Sequence, residues 1–527
     1  MFETTVTVCQ DKEKKKITVM KGESLMEALL REGQMFNGVC AGSGRCGKCG
    51  IRVIRGDTPI TKRDREVFTE QQLMEGFRLS CLLYPKEELT ITLTCEEERE
   101  FSILAEGGYV NADQSNAARQ TMRDTDFGVA VDIGTTTIVL ALFGIGSRCL
   151  YGTASMLNRQ RRFGLDVISR IKAASEGSAE LMKESVREDL GEGIQKLTGD
   201  AGIHPDQVIR MVIGGNATMG HLLMGYDCAS LGRYPFTPVN ISTITGTAGE
   251  ILGQFGWKAQ VLLLPGISTY VGGDIVAGLL ACGFDRVDEI SLFLDLGTNG
   301  EMALGNREKI LVTSTAAGPV FEGGNITWGT GSVAGAICSV QIDGVAVKNT
   351  TIGGQAPEGI CGTGVIEAVA ELLKEGLIEE SGLLDESYFD QGFPLAETRD
   401  GRKILLTQRD IREVQLAKAA IRAGIETLIV RYGIKRHQVR RVYLAGGFGF
   451  HLDPYKAVVI GLLPEEFLNR IEVVGNSCLS GAAEYLLEQK KDCVEHILEV
   501  SEEIALAADP CFKEIYMESM VFESLWS

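Results

Sequence analysis

The sequence predicts an α+β multidomain chain: a small N-terminal domain built around clustered cysteines, then a two-lobed α/β body of two related halves. Three observations predict it. The 527 residues are too many for one hydrophobic core. Cys40, Cys46 and Cys49 fall in the glycine-rich text VCAGSGRCGKCGIRV, spaced C-x5-C-x2-C, and Cys81 follows in LSCLLYP. A strand–turn–strand text with an aspartate, a glycine and hydroxyl residues at its tip occurs twice, as FGVAVDIGTTTIVLALF from 127 and SLFLDLGTNGEMAL from 291.

The N-terminal elements come in order. Residues 4–9 (TTVTVC) and 16–20 (KITVM) alternate apolar and polar positions, as two strands of a hairpin would, with QDKEKKK as a charged turn. GESLMEALLREG reads as a short helix, with Ser24 as N-cap and Leu25, Leu29 and Leu30 on one face. The cysteine loop follows, then strands at 50–54 (GIRVI) and 89–95 (LTITLTC). Three thiolates on one loop and a distant fourth is how a [2Fe–2S] cluster is held. Structural zinc sites show two short cysteine pairs instead. Disulfides do not suit a chain with 14 cysteines and no apolar leader, which reads as cytoplasmic. The other cysteines (Cys9, Cys95, Cys149, Cys228, Cys282, Cys338, Cys361, Cys478, Cys493, Cys511) have no ligand spacing and read as small buried hydrophobes. Over about residues 1–96 the segment resembles the β-grasp ferredoxins. Its five residues between the first two cysteines resemble the adrenodoxin-like subgroup rather than plant-type ferredoxins, so a potential of about −400 mV is not expected to carry over.

Composition narrows the partners. Hydrophobic residues at 44% and charged residues at 23% are ordinary for a soluble globular protein, and no apolar run is long enough to span a membrane. A net charge of −19 excludes nucleic-acid binding, which needs a basic face. Residues 97–126 lose hydrophobic periodicity and carry Gly107-Gly108. They read as a linker, which would let an electron carrier visit a donor and then an acceptor.

The repeated hairpins carry phosphate chemistry. Their tips are Asp132, Gly134, Thr135, Thr136 and Thr137 in the first, and Asp295, Gly297, Thr298, Asn299 and Gly300 in the second. Such turns offer backbone N–H and hydroxyl donors to phosphate oxygens. An aspartate in each half can hold Mg²⁺ through water and position the attacking water. RRVYLAGGFGFHLDP (440–454) ends a strand in a glycine loop whose Gly446, Gly447 and Gly449 can approach adenosine closely. IEVVGNSCLSGAAEYLLE (471–488) and RMVIGGNATMGHLLMG (210–225) share a strand–GN–helix shape, so the connecting elements read as repeated too. Glu301 is a candidate to orient water, against the alternative of a solvated carboxylate. Gly272-Gly273-Asp274 is either a supporting part of the site or a plain turn. Cys361 in ICGTG precedes an amphipathic helix and reads as packed. His221 and His451 form no cluster and receive no catalytic role. Ile411, Val414, Leu416, Ala419 and Ile421 lie near helical spacing and read as core or dimer packing.

Across about residues 127–490 these texts resemble the superfamily of actin, hexokinase, the acetate and sugar kinases and the large heat-shock chaperones. The resemblance implies two ribonuclease-H-like βββαβα halves, 127–285 and 286–527, with ATP and Mg²⁺ between them. A ferredoxin domain fused to such an ATPase resembles the reductive activators of corrinoid-dependent proteins. STAAGPVFEGGNI (314–326), EGICGTGVIEAVAELL (358–373) and DIREVQLAKAAIRAGIETLI (410–429) carry the same resemblance. The chain lacks the C-x2-C-x2-C-x3-C runs of activators that carry four-iron clusters, so it resembles the subgroup with a single N-terminal two-iron cluster. The resemblance implies ATP-dependent, one-electron reduction of cob(II)amide to cob(I)amide on the corrinoid protein of a methyltransferase system. It further implies a low-potential electron donor and a homodimer through the second half. Each ~59 mV of deficit in such a step costs a factor of ten, and nucleotide can remove it only through differential affinity between states. Two other readings compete: a small-molecule kinase of the acetate or sugar class with an accessory redox domain, and a plain ferredoxin-type carrier whose body is a docking scaffold.

Overall fold

The computed structural model describes residues 4–10, 13–32, 49–93, 124–253, 257–344 and 346–522. In the N-terminal part, β1 (Thr4–Gln10) pairs antiparallel with β2 (Glu13–Val19) and parallel with β5 (Leu89–Leu93). β3 (Gly50–Arg55) and β4 (Phe77–Leu79) complete a sheet of order β2-β1-β5-β3-β4. The expected helix is α1 (Leu25–Arg31). Ser24 caps it reciprocally, with the Glu27 N–H donating to Ser24 Oγ (3.2 Å) and the Ser24 N–H to the Glu27 carboxylate (2.7 Å). Leu25, Ala28 and Leu29 pack on Val6, Val8, Ile17 and Ile91. The charged QDKEKKK turn is a correction: Glu13–Lys16 belong to β2. That strand lies at the sheet edge, where exposed lysines also discourage pairing with another chain. Two short helices, α2 (Lys62–Val67) and α3 (Glu70–Met74), each open on a threonine capping box.

Of the expected linker, residues 97–123 lie outside the described residues. Asp124 is anchored in the body, accepting hydrogen bonds from the Ser147 N–H (2.9 Å) and the Tyr151 hydroxyl (2.8 Å).

The body holds two sheets of the same plan. In the first, β6 (Phe127–Ile133), β7 (Thr137–Gly144) and β8 (Leu150–Leu157) form a meander. Helices α4 (Val167–Ala173) and α5 (Ala179–Ala201) then lead to β9 (Val208–Gly215), which pairs parallel with β6, and to α6 (Ala217–Met224). β10 (Ile244–Thr247), α7 (Ala248–Leu252), β11 (Gln260–Leu263) and α8 (Gly273–Ala281) follow, giving the order β10-β11-β9-β6-β7-β8.

In the second half, β12 (Ser291–Leu296), β13 (Gly300–Asn306) and β14 (Lys309–Thr315) repeat the meander. An inserted sheet of β15 (Ala336–Asp343), β16 (Ala346–Thr351) and β17 (Gly359–Ile360) leads to α9 (Gly362–Lys374). The hairpin β18 (Phe393–Glu397)–β19 (Lys403–Leu406) leads to the long α10 (Gln408–Tyr432). There Ile411, Val414, Ala419 and Ile421 are buried, while Leu416 is exposed and so is not core. The half closes with β20 (Arg441–Ala445), α11 (Gly446–His451), α12 (Pro454–Val459), β21 (Ile471–Gly475), α13 (Ser477–Glu488), α14 (Lys491–Val500) and β22 (Ser501–Glu503), in the order β21-β20-β12-β13-β14-β22.

Superposing the orders gives the equivalences β11–α8 with β21–α13, and β9–α6 with β20–α11. The sequence likeness of 210–225 to 471–488 therefore does not mark equivalent elements. The topological partner of 210–225 is the glycine loop after β20. Helices α8 and α13 lie between the two sheets. Ile275, Leu279, Leu479 and Ala482 share one core with Ala130 and Val212 of the first sheet and Phe293 and Tyr443 of the second. Among the described residues no helix is long and apolar enough to cross a membrane.

Candidate functional site

Two centres emerge. In the N-terminal domain, Cys49 immediately precedes β3 and Cys81 sits in a 3₁₀ turn after β4. Both are buried and their sulfurs are 3.1 Å apart. The Ser80 N–H and hydroxyl both donate to the Cys49 carbonyl (3.0 and 2.8 Å), which fixes the two cysteines together. Two reduced thiols this close suit one iron. Cys40 and Cys46 lie outside the described residues.

The second centre is the cleft between the halves. In the first hairpin, the Gly134 N–H closes the turn on the Thr137 carbonyl (2.9 Å). Asn158 holds the turn from below, its side chain donating to the Gly134 carbonyl (2.9 Å) and its N–H to the Thr136 carbonyl (3.0 Å). Asn216, the N-cap of α6, donates to Thr135 Oγ1 (3.2 Å), and Arg170 donates to the Thr135 carbonyl. In the second hairpin, the Gly297 N–H donates to the Asn299 carbonyl (2.9 Å), and Gly300 opens β13. The Thr298 N–H and hydroxyl both donate to the Glu322 carboxylate (3.0 and 2.9 Å). The donors expected to meet phosphate are thus held by a carboxylate of the same half.

Acidic groups from both halves meet on the cleft floor. Asp132 is the penultimate residue of β6, Asp295 is the penultimate residue of β12, Glu301 follows the second turn, and Asp274 is the second residue of α8. All keep some surface on the cleft. Burial, first, pushes every one of the four carboxyls upward. Asp295 then raises Asp274, Asp132 raises Asp295, and Asp274 and Asp295 raise Glu301. Asp274 and Asp295 reach about 7. Asn476, the N-cap of α13, crosses the interface to donate to Asp132 (2.8 Å), and the neighbouring Cys478 thiol acts on the same carboxylate to lower its pKa against the effect of burial. Cys478 is the second residue of α13 and so the counterpart of Asp274 in α8. Among the described residues no three acidic, histidine or cysteine side chains are close enough to hold a metal directly.

Gly446 has φ +81°, and a Cβ there would lie 2.6 Å from Asp295 Oδ1. A side chain at 446 is thereby excluded, and the glycine turn sits against the second hairpin. Gly447 and Gly449 belong to the short helix α11, so the expected loop is the first turn of a helix.

The sequence reading brought Asp132, Asp295 and the two turns together, and left Glu301 and Asp274 open. Both face the cleft. It missed Asn216, Asn476, Glu322 and Cys478. The two asparagines follow a strand-ending glycine and precede a helix, an N-cap signal that could have located them. His221 is structural: it is buried, Nδ1 donates to the Ala217 carbonyl (2.7 Å), and Nε2 accepts from the Val239 N–H (3.0 Å). The side chain of His451 lies outside the described residues. Cys361 is buried at the start of α9, and burial pushes its thiol up, which suits a packed cysteine.

Comparison with known proteins agrees with this geometry. Residues 8–86 match the 2Fe-2S iron-sulfur cluster binding domain, 127–287 the RACo middle region, and 289–525 the C-terminal domain of RACo, described as the ASKHA domain. The chain is 37% identical over 418 residues to the corrinoid activation enzyme RamQ of Eubacterium limosum, covering 75% of this chain and 70% of that protein. It is 27% identical over 427 residues to the Co(II) methylated amine-specific corrinoid protein reductase of Methanosarcina barkeri, covering 74% of this chain and 76% of that protein. A solved reductive activator for a corrinoid iron–sulfur protein superposes with a TM-score of 0.68 at 30% identity, covering 99% of this chain and 98% of that one.

Proposed function

The chain belongs to the reductive activators of corrinoid proteins, and from that premise we propose how its two centres divide the work. The N-terminal domain carries a [2Fe–2S] cluster, and the body is an actin-like ATPase unit. Cys40, Cys46, Cys49 and Cys81 hold the cluster. Thr135, Thr136, Thr298 and Asn299 donate to the β- and γ-phosphates of ATP. Asp132 and Asp295 act on hydrated Mg²⁺ and the attacking water, and Glu301 and Asp274 complete the acidic floor. Gly446, Gly447 and Gly449 face adenosine. The substrate is the cobalt of a corrinoid protein serving a methyltransferase, reduced from cob(II)amide to cob(I)amide by one electron.

One observation carries the reading. Two equivalent hairpins converge on a single cleft, and Asn476 of one half is hydrogen-bonded to Asp132 of the other (2.8 Å). A nucleotide seated there touches both halves at once, so its binding and hydrolysis can change their separation. That change is the differential affinity an uphill electron transfer requires.

The test is phosphate release from ATP by reconstituted protein. The expected outcome is a rate that rises when a cob(II) corrinoid protein is added, with water as the sole phosphate acceptor. Transfer of phosphate to acetate or a sugar, unaffected by removal of iron, would establish the kinase reading instead.

A further inference from the structure

The third strand of each meander, β8 and β14, runs into a short 3₁₀ turn, Arg159–Phe163 in the first half and Pro319–Glu322 in the second. The two turns are equivalent in the fold and carry opposite charges, Arg161 in the first and Glu322 in the second. Glu322 holds both donors of Thr298 in the second phosphate hairpin. Arg161 is only 7% exposed, and among the described residues no hydrogen bond or ion pair engages its guanidinium. Its neighbours fix it in place. The Arg159 side chain is paired with Asp189 (3.2 Å) and bonded to Glu192 (2.9 Å), and the Gln160 side chain donates to the Met182 carbonyl (3.0 Å). Arg170, also buried, bonds the Thr135 carbonyl of the first phosphate hairpin and lies close enough to Arg161 for their charges to repel. The charge that acts on Arg161 favourably is Glu322.

A buried, unpaired guanidinium is costly unless an anion completes it. Here the Arg161 backbone N–H donates to the carbonyl of Asn158 (3.0 Å), the residue that holds the first phosphate hairpin at Gly134, and its charge is within reach of the carboxylate that covers the donors of the other. We propose that Arg161 is a further catalytic residue, contacting the terminal phosphate of the nucleotide between the two hairpins, and that Glu322 is its stand-in, displaced from Thr298 when that phosphate arrives. The inference rests on the nucleotide-cleft reading above. In hydrolysis, water attacks the γ-phosphorus, the bond to the β–γ bridging oxygen breaks with its electron pair passing to ADP, and the water proton ends on inorganic phosphate. A guanidinium at the equatorial oxygens stabilises the charge that builds there. Arg170 acts through the Thr135 carbonyl and Arg161, and is a positioning residue.

The experiment compares Arg161→Gln, Arg161→Lys and Glu322→Gln with the wild-type holoprotein, measuring ATP and ADP affinity by calorimetry and phosphate release. Arg161→Gln should weaken ATP at least tenfold with ADP within threefold, and should slow hydrolysis by about 10³-fold or more, the range reported for arginines in this role. Arg161→Lys should recover part of both. Glu322→Gln removes the competing anion and should tighten ATP severalfold. If Arg161→Gln leaves hydrolysis and the ATP/ADP ratio within threefold of wild type, or weakens both nucleotides equally, the assignment is overturned. Should Arg161→Gln fail to fold, Glu322→Gln decides, since unchanged or weaker ATP binding contradicts the displacement. Wild-type protein that binds no adenine nucleotide would sink the nucleotide-cleft reading itself, an outcome distinct from all of these.

Discussion

On the cleft floor, burial holds Asp132, Asp274, Asp295 and Glu301 above the usual carboxylate range, and neighbouring carboxylates raise the last three further. A carboxyl whose folded value is raised binds more protons in the folded chain than in the unfolded one. Its stabilising contribution is therefore present at low pH and is lost as pH rises from the unfolded carboxylate range through about 7, the value reached by Asp274 and Asp295. Asp295→Asn should raise the melting temperature of the nucleotide-free protein, and its advantage over wild type should be larger at pH 8 than at pH 6. The same substitution should cut ATP hydrolysis at least a hundredfold. Equal melting curves across that range would show that the carboxyls do not repel. Cys81 offers an independent check at the same scale. Cys81→Ser should abolish bound iron and sulfide while ATP affinity stays within twofold, because the two centres rest on separate sheets and separate cores. What sequence could disclose at this scale was chemistry next to a turn. The places of Asp132 and Asp295 at the strand ends were legible because each lies at the close of an apolar run beside glycine and threonine. Arg161, Glu322 and Cys478 were not, since their meaning comes from elements far apart in the chain and equivalent only in the fold.

Helices α8 and α13 are the elements on which the cleft depends. They cross so closely that a Cβ at Gly481 would overlap the Ala277 carbonyl. Gly481→Ala should therefore cost about 2 kcal/mol, typical of an overpacked core, in chemical denaturation. It should also weaken nucleotide binding, because Asp274 and Asn476 stand at the N-termini of these two helices. A variant with wild-type stability and affinity would mean the crossing can relax without moving the site. The meander hairpins and α10 were readable in the sequence because apolar runs and polar tips alternate cleanly. The equivalence of β11–α8 with β21–α13 was not readable. Local likeness pointed to 210–225 instead, since glycine and asparagine after a strand suit any helix start. Likewise the lysines of β2 looked like a turn because an edge strand tolerates charge that a central strand does not.

At the scale of the whole molecule, a one-electron carrier and a two-lobed nucleotide clamp share one chain. The domain order was legible from cysteine spacing and the repeated hairpin. How ATP alters the docked corrinoid partner is a property of the complex and leaves no mark in a single sequence. In the proposed reading neither centre alone can reduce a cobalt whose potential lies below that of the donor: the cluster supplies the electron and nucleotide in the cleft supplies the free energy. The most direct measurement is the cob(I)amide absorbance formed from a cob(II) corrinoid protein by anaerobically reduced protein, with and without Mg²⁺ and ATP, for wild type, Cys81→Ser and Asp295→Asn. Cob(I)amide should accumulate only with wild type and nucleotide together. Equal accumulation without ATP, or undiminished accumulation in Asp295→Asn, would contradict the coupling of the two centres.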